Sequence, residues 1–312
     1  MSELYNFWEK PKAKEVYMLA GWRQWADGGA VSSGLPRFMA EHTSARKIGE
    51  LSPDNYYIFQ LPGAQQFLRP IVRHNDGLSE SLQTHTNEFY YAEVNGKGVV
   101  YFIGDEPHMD AERYTRAFLS AAKELNVRRI VQFGGVYAQV PYDRDRLVHG
   151  IISLAHLRNE LDVLEVEPSN YQGPSSIGSY INKRAGEQGI EVVGLYAFCP
   201  IYQFGGLDDV NKTIHIESDY LAWMNVMERV SHMLRINFDL SDLEGLAENL
   251  IEKVDDKVIE LDGKYPELRI GEFMHRLREE FQERTFSQLD DIWEDSLRRL
   301  GDQFFPSDEE DD

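Results

Sequence analysis

The sequence predicts an α/β protein: a mixed sheet covered by helices on both faces, followed by a helical C-terminal subdomain. Three observations predict it. Short apolar, β-branched or aromatic runs alternate with helical patterns through the first two thirds of the chain, the order that places a sheet between helices. Asn95-Gly96 stands between two strand-like runs and marks a tight hairpin, so the sheet is mixed rather than all parallel. Near Phe204 the strand signal stops, and apolar residues then recur at spacings of three and four.

The elements follow in order. "EVYMLAG" reads as a strand ending at Gly21. "GGAVSSGLPRFMAEHT" reads as a helix with a weak middle, because Gly34 and Pro36 sit inside it. "ARKIGELS" and "YYIFQL" are short strand candidates, and "EFYYAEVNGKGVVYFIG" is the hairpin. In "MDAERYTRAFLSAAKELN", Ala111, Tyr114, Phe118, Ala121, Ala122 and Leu125 share one helical face, and Asp110 caps its start. "RRIVQFGG" and "LVHGIISLA" are strands, and "HLRNELDVLE" is a short helix or turn. "SSIGSYINKRAGEQG" is a helix with Ser175 or Ser176 near its N-cap and Gly189 at its stop. "IEVVGLYAF" suits a buried central strand.

Beyond the Gly-rich connector "GGLDDVNKTIHIES" the chain reads as helical only. Four stripes follow. One is Leu221, Met224, Met227, Val230 and Leu234; the next runs from Leu243 to Leu261. The last two are Phe273, Leu277, Phe281 and Leu289, Trp293, Leu297, Leu300. The division expected is an α/β domain over 1–205, a helical subdomain over 206–305 and an acidic disordered tail over 306–312.

The chain has 53 acidic against 32 basic residues, a formal net charge of −21, and no basic patch. That field repels phosphates and anionic lipid, so neither nucleic acid nor membrane is expected as a partner. No apolar stretch reaches bilayer length and "MSELYNFWEK" has no signal-peptide pattern, so the expected location is the cytoplasm. The single cysteine, Cys199, ends an apolar run with no flanking His or acid, and reads as a small buried hydrophobe.

Candidate sites cluster where strands end. "AGWRQWADGGA" follows the first strand; it fits neither a dinucleotide fingerprint nor a P-loop. Asp105, Glu106, His108 and Asp110 form a tempting metal set, but the spacing equally suits a helix start, and no metal is expected. The other histidines read as surface residues. Arg144 and Arg146 suit an anionic ligand, or pairing with Asp143 and Asp145 or a neighbouring subunit. Gly173-Pro174 precedes a helix whose N-terminus could bind an anion. No catalytic constellation is recognisable.

Taken in order, these turns resemble the proteasome assembly chaperone family in its prokaryotic branch. Gly21-Trp22 with Asp27-Gly28 resembles its first turn, Arg69-Pro70 a short Arg-Pro element, and Gly104, Glu106 and Pro107 its Gly-x-Glu-Pro turn. Gly134-Gly135, Val140-Pro141 and Arg144 resemble its central loop. Pro168, Tyr171, Gly173 and Pro174 resemble its Pro-x-x-Tyr-x-Gly-Pro segment, and Pro200-Ile201-Tyr202 its Pro-x-Tyr strand end. The series spans about Val16 to Tyr202. Arg23-Gln24-Trp25 and Tyr142-Asp143 depart from it, and Glu310-Asp311-Asp312 lacks the family's docking-tail pattern.

The resemblance implies a three-layer α/β/α sandwich, phosphorylase/hydrolase-like in outline, self-associating as a homo-oligomer, a trimer or tetramer. It implies a non-enzymatic assembly or interaction protein without cofactor. The candidate ligand or partner surface is Gly21, Trp22, Asp27, Glu106, Gly134, Gly135, Arg144, Tyr171 and Gly173. The alternative is a small-molecule or nucleotide-binding enzyme at the same edge, since some relatives carry a carboxylate–amine ligase or ATP-grasp label.

Overall fold

The computed structural model describes residues 4–23, 25–53, 55–60, 68–204 and 213–282. Its main sheet is built from β1 (Tyr5–Phe7), β2 (Val16–Arg23), β3 (Arg46–Leu51), β6 (Asn87–Val94), β7 (Lys97–Asp105), β8 (Val127–Ala138), β9 (Val148–Ile152), β10 (Glu167–Pro168), β11 (Val192–Gln203) and β12 (Thr213–His215). The order is β1-β3-β6-β7-β2-β8-β11-β9-β10, with β12 against β11. A separate two-stranded hairpin pairs β4 (Ile71–Asn75) with β5 (Leu78–Gln83).

The centre, β7-β2-β8-β11, is parallel, and these strands read as continuous apolar runs because helices cover both faces. The flanks β1-β3-β6-β7 and β9-β11-β12 are antiparallel. The β6–β7 hairpin turns at Asn95 and Gly96, whose φ angles of 50° and 76° are the two positive values that such a turn requires.

Alternate residues of the centre feed two cores. Leu19, Val131 and Leu195 pack under α1 (Gly34–His42) and α5 (Tyr220–Leu234), with Leu161 of the short α3 (Arg158–Val163). Met18, Ala20, Trp22 and Ile130 pack under α2 (Ala111–Glu124) and α4 (Ile177–Glu187). Each fully buried Leu, Val, Ile or Met side chain among these stabilises by about 1.5–3 kcal/mol. A third core joins α6 (Ser241–Lys264) and α7 (Ile270–Glu280) to Tyr142, Tyr202, Ile214 and Ile216, so these helices pack on their own chain.

Several expectations are corrected. The helix after the first strand has no weak middle: it starts at Gly34, and Pro36 falls in its first turn, where a missing N–H costs nothing. Residues 55–60 form no strand. Tyr56 and Tyr57 instead close the end of β7, where the Tyr56 carbonyl accepts from the His108 and Met109 amides and Tyr57 Oη donates to the Asp105 carbonyl at 2.9 Å. The segment read as a connector, "GGLDDVNKTIHIES", carries a strand. Thr213–His215 pairs with β11, and burial of Ile214 and Ile216 in the third core holds it there. Of the histidines read as surface residues, His42, His85, His149 and His232 are half-buried. The stripe Leu289, Trp293, Leu297, Leu300 and the tail 306–312 lie outside the described residues.

Candidate functional site

The carboxyl ends of β2, β7 and β8 meet the start of α4 at one edge of the sheet. Small residues let the backbones close there. A side-chain carbon on Gly21 would stand 1.7 Å from the Ser32 carbonyl oxygen, and one on Gly135 1.8 Å from that of Gly28. Neither position admits any other residue. Gly134 lies against the Tyr196 ring. The Gly135 amide donates to Ala26 O at 2.9 Å, and Asp27 bridges to Gly135. Asp27 Oδ1 accepts from the Ser32 and Ser33 amides at 3.1 and 2.8 Å, fixing the turn into α1. Burial raises the Asp27 carboxyl above its ordinary range, against the pull of these donors.

Glu106 joins the pieces. Its Oε1 accepts from the Ile177 amide, the first N–H of α4, at 2.6 Å, and its Oε2 from the Trp25 amide at 3.1 Å. Ser176 caps the same helix by accepting from the Ser179 amide at 3.2 Å. Burial raises the Glu106 carboxyl as well, with both N–H donors opposing. The N-terminus of α4, which the sequence offers as a possible anion site, is thus occupied by the chain's own side chain.

Behind Glu106 runs a chain of buried hydrogen bonds. Trp22 Nε1 donates to Tyr114 Oη at 2.8 Å, and Tyr114 Oη to Asn87 Oδ1 at 2.7 Å. Asn87 Nδ2 donates to Tyr57 Oη at 2.7 Å, which reaches the Asp105 carbonyl. Burial raises the hydroxyls of Tyr57 and Tyr114, keeping both protonated. Asp105 Oδ1 accepts from Arg23 Nε at 2.7 Å and Oδ2 from the Thr86 amide at 2.8 Å. His85 stacks on Tyr57 with ring centroids 4.1 Å apart, and both rings meet His108 edge-on.

The tempting metal set is dispersed among separate partners. Asp105 faces Arg23, Glu106 caps α4, His108 Nδ1 accepts from the Ile58 amide at 3.1 Å, and Asp110 caps α2 by accepting from the Arg113 amide at 3.3 Å. Among the described residues no group of His, Cys, Asp or Glu is placed to hold a metal ion. Cys199 is buried, and burial pushes its thiol up.

The charged loop after β8 divides its roles. Arg146 pairs neither with Asp143 nor with Asp145. It is fully buried and donates from Nε and Nη2 to the two Asp219 oxygens at 2.8 and 3.1 Å, and to the carbonyls of Pro141, Tyr142 and Arg144. Asp219 in turn caps α5 through the Ala222 amide at 3.1 Å. Asp143 accepts from Arg278 Nε of α7 at 2.9 Å, and Tyr142 Oη donates to Asp255 of α6. The loop therefore fastens the C-terminal helices to the sheet.

Six of the nine predicted residues, Gly21, Trp22, Asp27, Glu106, Gly134 and Gly135, come together at this edge. Arg144 is exposed on the loop that follows β8. Tyr171 is 68 % exposed and folds back so that its hydroxyl donates to Pro174 O at 3.2 Å, over exposed Gly173. A small cleft opens between Trp22, Glu106, Ser176, Ile177, Gly178 and Tyr196. Sequence reasoning missed Tyr196, Gln132 and Asp219. Asp219 had a local signal, an acid directly before a helical pattern. Period-two alternation also places Tyr196 on the same face as Gly194, away from Leu195.

Comparison with known proteins bears on the fold and the family. A proteasome-assembly chaperone homologue of Mycobacterium tuberculosis is 23% identical with a TM-score of 0.66, over 77% of this chain and 94% of that one. A PAC2 family protein of Streptomyces avermitilis is 22% identical with a TM-score of 0.66, over 78% and 95%. PbaB of Pyrococcus furiosus, an archaeal proteasome activator, is 17% identical with a TM-score of 0.59, over 81% and 97%. At such identities the likeness shows the fold. No curated protein matches the sequence. Among the described residues no helix is long and apolar enough to cross a membrane. The PAC2 family model matches residues 22–258, which take in all nine candidate positions except Gly21. By that match and the shared sandwich, the chain belongs to the PAC2 family.

Proposed function

We propose that this chain is an assembly-chaperone-like interaction protein, a cytoplasmic homo-oligomer that acts without catalysis and docks a protein partner on its glycine-cornered sheet edge. Its family and its structural neighbours, a proteasome-assembly chaperone homologue and a proteasome activator, support that reading. The observation that carries it is Glu106, whose two oxygens hold the loop after β2 to the start of α4. The carboxylates of Asp27, Asp105 and Glu106 are engaged in fixing a surface. Exposed side chains are left on the loop after β2 (Trp25), near the end of β8 (Val136) and on the loops that follow β8 (Arg144) and β10 (Tyr171), and aromatic residues and arginine are enriched at protein interfaces. The anion-binding enzyme reading has the same residue against it, since Glu106 stands where the anion would sit at α4.

The test has two parts. Light scattering on the purified chain should give an oligomer. Native pull-down should recover a defined protein complex whose assembly yield rises when the chain is added back. A strictly monomeric chain that recovers no complex contradicts the proposal.

A further inference from the structure

Gln132 lies in the middle of β8, only 1 % exposed, and neither its amide nitrogen nor its amide oxygen has a partner among the described residues. Buried polar groups almost always find one, and ordered water serves where protein does not. The surroundings of Gln132 show which groups such a partner would meet. In the β8–β11 register Gln132 stands opposite Gly194, two residues before Tyr196. A side-chain carbon on Gly178 would lie 3.4 Å from Tyr196 Oη, 3.7 Å from Gln132 Oε1 and 3.7 Å from Ser176 Oγ. Three oxygens therefore surround the place that the Gly178 side chain leaves free. Gly178 and Tyr196 also line the cleft that opens past Glu106 and Ser176. The Tyr196 hydroxyl is hydrogen-bonded to Ser179 Oγ at 3.2 Å, and Ser179 Oγ to Ser176 Oγ at 3.2 Å.

We propose that this recess beneath the first turn of α4 is a binding site for one small neutral molecule that both donates and accepts hydrogen bonds, a water. An anion is disfavoured, because the Glu106 carboxylate already takes the Ile177 amide. A cation would face the positive end of α4. Water satisfies both kinds of group: it donates to Gln132 Oε1 and accepts from the Tyr196 hydroxyl or the amide. The site locks β8, β11 and α4 together under the sheet edge. It does not rest on the docking reading above.

Gly178→Ala tests it, because the added methyl meets its neighbours at ordinary contact distances. In a dry recess the substitution raises the melting temperature, since alanine is the better helix former. With water bound there, the methyl displaces it and strands Gln132. The expected result is a melting temperature about 2 °C or more lower. In a Gln132→Leu background the same substitution should raise it, a sign reversal read as a double-mutant cycle. A crystal structure that shows ordered solvent should place a water within hydrogen-bond reach of Gln132 and Tyr196. Gly178→Ala acting with the same sign in both backgrounds, or crystals with no water at that point, overturns the proposal.

Discussion

Glu106 and Ile177 are joined by a 2.6 Å hydrogen bond from the first amide of α4 to a carboxylate that follows β7, across 71 residues of chain. The other oxygen of that carboxylate holds Trp25. One side chain thus ties three segments at the carboxyl edge of the sheet. Glu106→Ala removes both acceptors and should cost about 1–3 kcal/mol. Glu106→Gln keeps one oxygen and should cost less. Urea unfolding of the two variants, with the slope unchanged, checks the order.

The pH dependence of the same corner follows from His108. Its Nδ1 accepts from the Ile58 amide, so a proton there would set N–H against N–H. Burial and then His85 lower the imidazole from its ordinary value, while Asp105 opposes; the Tyr57 ring packs edge-on. The unfolded chain therefore binds the proton at a higher pH than the folded one. The contribution is present above the ordinary imidazole range and is lost as pH falls below it. Between pH 7 and 5 the wild type should lose more melting temperature than His108→Gln, whose amide oxygen still accepts from Ile58. Equal losses would remove His108 from the account.

Arg146 and Asp219 make a fully buried ion pair. Breaking one partner strands the other charge, so Arg146→Met or Asp219→Asn should cost about 3–5 kcal/mol. Arg146→Met with Asp219→Leu should recover part of that, less about 1 kcal/mol for the lost cap on α5. Denaturant midpoints of the three variants measure it.

Two glycines should behave oppositely. Gly135→Ala places a carbon 1.8 Å from Gly28 O and should cost about 3 kcal/mol or fail to fold. Gly245 in α6 has open space around it, so Gly245→Ala should stabilise by about 0.5–1 kcal/mol. Thermal unfolding of both shows the sign.

Local signals were legible and distant ones were not. Asn95-Gly96 and the Asp110 and Ser176 caps are written in neighbouring residues, and the structure follows them, whereas β8 runs past the expected strand end at Gly134-Gly135 to Ala138. "YYIFQL" misleads because aromatic side chains favour strands, whereas here Tyr56 and Tyr57 are taken up in closing the end of β7. The three residues of β12 carry too little pattern to stand out; pairing with β11 and burial of Ile214 form that strand. The Glu106–Ile177 and Arg146–Asp219 pairs span 71 and 73 residues, distances over which no periodicity speaks.

The central claim is that the exposed loops of this edge dock a protein. Arg144→Glu with Tyr171→Ala alters two exposed side chains and leaves the Glu106 junction intact. Quantitative native pull-down, with circular dichroism to confirm the fold, compares that variant with the wild type. The account predicts a defined complex with the wild type and about tenfold less of it with the folded variant, a difference of about 1.4 kcal/mol. Equal recovery of the same complex by both proteins would contradict it.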